Sequence, residues 1–158
     1  MNSKKKQKKS YDENGFIKIS NFFSKKEIIL LKKIVKEIET LKPKKNKHMI
    51  YKDYQNKQLL LTRTENFYDH NSKMRNFLTK KKIINLLTNL IGSKPSLFKD
   101  KINWKYPGAI GFEPHQDAQV WENLYKNIKS FISLTISIDK TTIKNGCLEI
   151  VRKKHKMG

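Results

Sequence analysis

Cysteine is almost missing from this chain: Cys147 is the only one in 158 residues. One thiol excludes an internal disulfide and fits a reducing compartment. Long apolar runs are missing too, since no window reaches the roughly 18 residues of a membrane span. The start, MNSKKKQKKS, is positive but has no apolar stretch behind it and does not read as a signal peptide. The expected location is cytoplasmic.

Acidic residues are scarce as well, 14 against 35 Lys plus Arg, which leaves a formal charge of +21. A charge of that size raises nucleic acid or a membrane surface as partners. Arginine weakens that reading by its own scarcity. Only Arg63, Arg75 and Arg152 are present, and the lysines are spread along the chain among Asn and Ile. Base readout favours arginine and aromatic platforms, and neither is clustered here. The charge is read as composition bias, and residues 1–10 as a disordered basic tail.

From Tyr11 onward the pattern is that of one globular domain, 11–158. GFIKI (15–19) is short and alternating, which predicts a strand. Ser24 and Glu27 make a capping box, Phe23 and Ile28 a hydrophobic staple, and Ile28, Leu31, Val35, Ile38 and Leu41 recur on one helical face that Pro43 ends. Residues 42–58 are polar and read as a loop. Between Asn71 and Gly92 apolar residues return at helical spacing, as two short helices or one kinked helix, with Gly92 as the left-handed stop. After Pro95 the period becomes two: SLFKDKINWKY, SFISLTISID (130–139) and GCLEIV (146–151, after a KNG turn) predict strands. Helices come early and strands late, so the fold class is α+β with an antiparallel sheet.

Histidine numbers only four, and His48 and His70 sit in polar stretches where exposure is expected. His115 stands apart. In PHQDAQVW (114–121) it lies two positions before Asp117, and on extended backbone residues i and i+2 face the same way. One imidazole and one carboxylate suit non-haem Fe(II) when a second histidine completes the face. The pair alone is also an ordinary exposed loop sequence.

LTRTENF (61–67), LFKDKINWKYPG (97–108), the HQD of 115–117 and NGCLEIVRKKHKMG (145–158), in that order and spacing, resemble the phytanoyl-CoA dioxygenase family. GFIKISNFFSKKEI is similar to that family's first strand and helix. The resemblance implies an Fe(II)- and 2-oxoglutarate-dependent oxygenase built on a jelly-roll, cupin-like double-stranded β-helix with helices on one side. His115 and Asp117 match the metal-binding HxD. Gln116 matches a 2-oxoglutarate contact, although strand alternation turns it away from the metal. Arg63 matches a basic position that reaches the co-substrate, and Lys101 sits where another co-substrate neighbour is found, or is one more solvated lysine. Thr135 is a candidate pocket residue. In related halogenases a small residue replaces the acid, so Asp117 favours hydroxylation: 2-oxoglutarate is oxidatively decarboxylated to succinate and CO₂, and O₂ oxidises a C–H bond of a small organic substrate.

The same resemblance places the third metal ligand, a distal histidine, and an arginine for the far carboxylate of 2-oxoglutarate beyond Gly158. The chain is thus expected to be a fragment with little activity of its own. His155 is the rival third ligand, but RKKHKMG lacks alternation, and the family has a Pro-Gly-Ser-His-Lys turn there, against Arg152, Lys153 and Lys154 here. Alternatives to an oxygenase are a jelly-roll binding protein without iron and a basic nucleic-acid binder. Residues 118–127, with Trp121 and Tyr125 as candidate substrate neighbours, carry no pattern that identifies a substrate.

Overall fold

In a computed structural model, residues 3–117 and 130–157 are described. Trp121, Tyr125 and the rest of the 118–127 stretch singled out above lie outside them. The elements run α1 (Ser3–Asn14), α2 (Lys25–Glu39), β1 (Met49–Gln55), β2 (Gln58–Glu65), α3 (Ser72–Leu78), α4 (Lys81–Ile91) and β3 (Lys101–Asn103). Short 3₁₀ turns occupy Tyr68–His70, Ile143–Asn145 and Lys154–Lys156. Helices with a small antiparallel sheet make an α+β fold. None of these helices is long and apolar enough to cross a membrane.

α2 forms as its sequence dictates. Ser24 accepts from the Glu27 N–H, the Glu27 carboxylate accepts from the Ser24 N–H, and Leu31, Ile34, Val35 and Ile38 are buried on one face. Those side chains pack with Phe67, Met74 and Phe77 into the main core, and Phe23, Ile102, Trp104, Ile136 and Ile138 close its edges. Each such fully buried apolar side chain is worth about 1.5–3 kcal/mol. Asn71 caps α3 by accepting from the Met74 N–H, and Gly92 ends α4 at φ +79. The helical region after Asn71 is therefore two helices.

The residues expected to form a disordered tail instead form most of α1. Lys8 reaches Asp12 at 3.0 Å and Lys9 reaches Glu13 at 3.8 Å, both four residues apart, and such pairs support a helix. Lys8 also donates to the Leu90 carbonyl at 3.1 Å, where the C-terminal end of α4 attracts a cation. Tertiary docking thus orders a run that its like charges alone would leave loose.

Residues 42–58, read as a loop, contain β1. A two-residue turn at Asn56 and Lys57, φ +46 and +63, joins β1 to β2 as a hairpin of the primed type. Polar composition hid it. Conversely, 15–19, 130–139 and 146–151 make no ladder among the described residues, although 130–139 keeps its alternation, with Ile136 and Ile138 against the core. A strand needs a neighbour for its backbone, and in 97–106 the ladder covers Lys101–Asn103, with the Trp104 N–H also donating to the Thr62 carbonyl at 2.9 Å.

The sheet order is β1-β2-β3, both pairs antiparallel. Arg63 faces Tyr51 and Asn103, Thr64 faces Ile50 and Ile102, and Glu65 faces Met49 and Lys101. The row of Thr64 and Ile102 turns to the helices, where the Trp104 indole N–H donates to the buried Thr64 hydroxyl at 2.9 Å. The opposite face carries Tyr51, Arg63, Glu65, Lys101 and Asn103.

Candidate metal centre

The segment that carries the histidine is fixed from the sheet. At the hairpin tip the Asn56 amide donates to the Gly108 carbonyl at 2.7 Å, and the Ile110 N–H donates to the Gln55 side chain at 2.8 Å. Gly108 has φ +86 in a turn closed by Ala109 N–H to Tyr106 O at 2.9 Å. That conformation suits glycine after Pro107.

His115 Nε2 and Asp117 Oδ1 lie 3.5 Å apart, each side chain about half exposed. His115 Nδ1 is 2.6 Å from the Glu113 carbonyl. A carbonyl only accepts, so in the neutral ring Nδ1 carries the proton and the Nε2 lone pair is left for a ligand. Asp117 Oδ2 accepts from the Ser133 hydroxyl at 2.7 Å, which leaves Oδ1 turned to the histidine. Each of the two thus has a second partner that orients it, the arrangement that metal ligands need. Ser133 and the Glu113 carbonyl were not singled out by the sequence; a serine on a strand gives no signal, and a backbone carbonyl gives none at all.

Gln116 points away from the pair, and its amide donates to the carbonyls of Lys154 and Met157, both at 3.1 Å. His155 does not join the pair either. Its Nε2 lies 3.2 Å from the Asp12 carbonyl, against the end of α1. Among the described residues no group of three or more His, Cys, Asp and Glu could hold a metal ion. His70 is exposed as expected, while His48 is only partly so and meets the Lys42 carbonyl.

Arg63 and Lys101 come together on the outer sheet face, in adjacent cross-strand rows. The Arg63 guanidinium stacks 4.1 Å over the Tyr51 ring, and its Nε lies 3.0 Å from Glu65 Oε1. Glu65 is only 3% exposed and also meets Lys99 at 3.1 Å and the Tyr51 hydroxyl at 3.4 Å. Arg63 Nε and Glu65 Oε1 are buried without an aligned hydrogen bond, so their contact is an ion pair. Glu65 was missed by the sequence reading because a carboxylate inside TRTENF looks like any exposed strand acid. Lys101 is exposed, and so is Thr135, which lies on the parity opposite to Ile136 and Ile138. No hydrogen bond or ion pair among the described residues joins the sheet set to His115 or Asp117. An open depression of about 580 Å³ is lined by Pro43, Tyr51, Asn66 and the lysines of 44–47, away from the metal pair.

The family model described as phytanoyl-CoA dioxygenase (PhyH) matches residues 11–158. Among curated proteins the chain is similar to a 2-aminoethylphosphonate dioxygenase of an uncultured bacterium, 32% identical over 146 residues that cover 91% of this chain and 55% of the relative. It is similar to a methylphosphonate hydroxylase of Gimesia maris, also 32% identical, over 94% of this chain and 55% of that protein. A probable alpha-ketoglutarate-dependent hypophosphite dioxygenase of Stutzerimonas stutzeri is 29% identical over 95% of this chain and 53% of its own length. The chain spans about half the length of these relatives. No solved structure matches it.

Proposed function

The chain belongs to the phytanoyl-CoA dioxygenase family, and on that premise we propose that it carries two of the three iron ligands of an Fe(II)- and 2-oxoglutarate-dependent hydroxylase. His115 Nε2 and Asp117 Oδ1 hold the metal, and the third ligand lies outside the described residues. The observation that carries this reading is the free Nε2 lone pair 3.5 Å from an acid oxygen, each ligand oriented from behind by Glu113 or Ser133. When bound, Fe(II) activates O₂ for oxidation of a C–H or P–H bond, with 2-oxoglutarate as the electron source.

This chain's own residues do the rest. The Glu113 carbonyl favours the neutral tautomer with its proton on Nδ1, which turns Nε2 to the metal. Ser133 holds one oxygen of Asp117, so the other points one way. Arg63 and Lys101, on one sheet face, supply the positive charge that a dicarboxylate needs, and the planar fork of Arg63 suits a carboxylate. Gln116 is assigned to the co-substrate by resemblance only, and its amide is used elsewhere. The sheet and the alternating segments 130–139 and 146–151 are read as the beginning of a jelly-roll barrel. The enzyme is read as cytoplasmic, on its single thiol.

For substrate, three relatives are named for 2-aminoethylphosphonate, methylphosphonate and hypophosphite, and these share a small phosphorus oxyanion. We assign this chain the same class of substrate, which its charge of +21 would draw in. Anaerobic calorimetry with Fe(II) tests the metal reading. His115→Ala and Asp117→Ala are each expected to abolish measurable uptake; unchanged uptake in either would overturn the assignment. With the chain extended through the third ligand, succinate release that depends on one of the three phosphorus oxyanions tests the substrate class, and turnover that none of them stimulates would remove it.

A further inference from the structure

We infer that Gln116 is a positioning residue that ties the His115–Asp117 segment, through the 154–157 turn, to the end of α1. The metal consequence rests on the function proposed above; the tie itself does not. An amide has two N–H donors on one nitrogen, and Gln116 uses its Nε2 on two carbonyls of one turn, Lys154 and Met157. Gln116 lies between the two ligands in the chain, so this bond pair fastens the segment that carries both.

The turn is seated on α1. The last carbonyls of a helix have no partner within it. Here the Lys153 N–H donates to the Asn14 carbonyl at 2.9 Å and His155 Nε2 to the Asp12 carbonyl at 3.2 Å. Arg152 donates through Nη2 and Nε to the Asn14 side-chain oxygen at 2.8 and 3.3 Å. Gly15, at φ +84, lets the His155 ring approach, since a Cβ there would stand 2.4 Å from Nδ1. Lys153 takes φ +64 to make the turn. The Arg-Lys-Lys departure from the family's Pro-Gly-Ser therefore has a use in this chain, as Arg152 grips α1. With the hairpin tip holding 108–110 and the turn holding Gln116, the metal-ligand segment hangs between two fixed points.

The test uses the whole chain without metal first. Hydrogen exchange at the Lys153 amide is expected to accelerate severalfold in Gln116→Ala and in Asn14→Ala, while α2 amides keep their protection. Unchanged Lys153 exchange in Gln116→Ala overturns the tie. Co(II) is then added as a probe. Gln116→Ala and the remote Asn14→Ala are expected to lower its affinity together, about 10–100-fold, and to alter its visible absorption with far-UV circular dichroism unchanged. An affinity lost in Gln116→Ala but intact in Asn14→Ala overturns the relay and returns Gln116 to a ligand contact. If His115→Ala and Asp117→Ala leave Co(II) binding intact, the metal reading fails, and the exchange result still decides the tie.

Discussion

Arg63 Nε and Glu65 Oε1 stand 3.0 Å apart two residues along β2, with the carboxylate almost wholly buried and the guanidinium one third exposed. Tyr51 supports both, by ring stacking on Arg63 and a hydroxyl to Glu65. Glu65→Gln would take this carboxylate's charge away from Arg63 and Lys99. Because both cations still reach solvent, the expected loss is about 1–3 kcal/mol rather than the full cost of an isolated buried charge. Urea denaturation measures it. A loss under about 0.5 kcal/mol, the range of an ordinary surface substitution, would mean that Glu65 does not anchor Arg63.

Asp100 holds the chain just beyond Glu65, at the same end of the sheet. Its carboxylate accepts from the Asn66 N–H at 2.7 Å, the Phe67 N–H at 2.9 Å and the Tyr68 N–H at 2.5 Å, just after β2. These donors belong to buried Phe67 and its two half-buried neighbours, and a buried N–H left unpaired is costly. Asp100→Ala is expected to cost about 1–3 kcal/mol in chemical denaturation. Asp100→Asn, which keeps one acceptor oxygen, should recover part of it; equal losses would point to packing instead of the three donors.

What could be read in advance follows from how local each signal is. Ser24, Glu27 and the apolar stripe of α2 are decided within one helical turn or two, and the structure has them as read. His115 and Asp117 were visible because two residues only two positions apart can meet without help from distant segments, and the structure has them 3.5 Å apart. The hairpin at Asn56–Lys57 was hidden by its lysines, and α1 was hidden because its support, Leu90, lies 82 residues from Lys8. Ser133, Glu65 and the engaged amide of Gln116 depend on which distant groups meet them. Periodicity cannot report that. The alternation of 130–139 says which side chains share a face, but not whether a neighbouring strand exists.

Glu27 joins the capping box of α2 to α4. Lys80, at 2.8 Å, and then Lys82, at 2.5 Å, together with the Ser24 N–H, hold its carboxyl well below the usual carboxylate range. A depressed folded value means stability that is fully present above the ordinary value of 4.5 and is lost as pH falls through the lower folded value. The thermal midpoint of the native chain is therefore expected to fall on acidification below pH 4.5 more steeply than that of Glu27→Gln. Parallel curves for the two would show that this carboxylate is not linked to folding.

Tyr106, next to the turn that leads to the metal pair, donates its hydroxyl to Glu39 at the end of α2. Burial first, and then that hydrogen bond and charge, push its ionisation up to about 12 from 10.0, while Lys36 and Tyr106 lower Glu39. A raised folded value means that the protonated phenol stabilises the fold fully below pH 10 and that this support disappears as pH rises through about 12. Ultraviolet titration of the six tyrosines should show one group that ionises last. Glu39→Gln is expected to bring that group part of the way back, since burial remains. In Tyr106→Phe the late step should vanish and the alkaline loss of stability should become shallower. A late step that persists in Tyr106→Phe would assign it to another tyrosine and leave the link between α2 and the 106–110 turn without support.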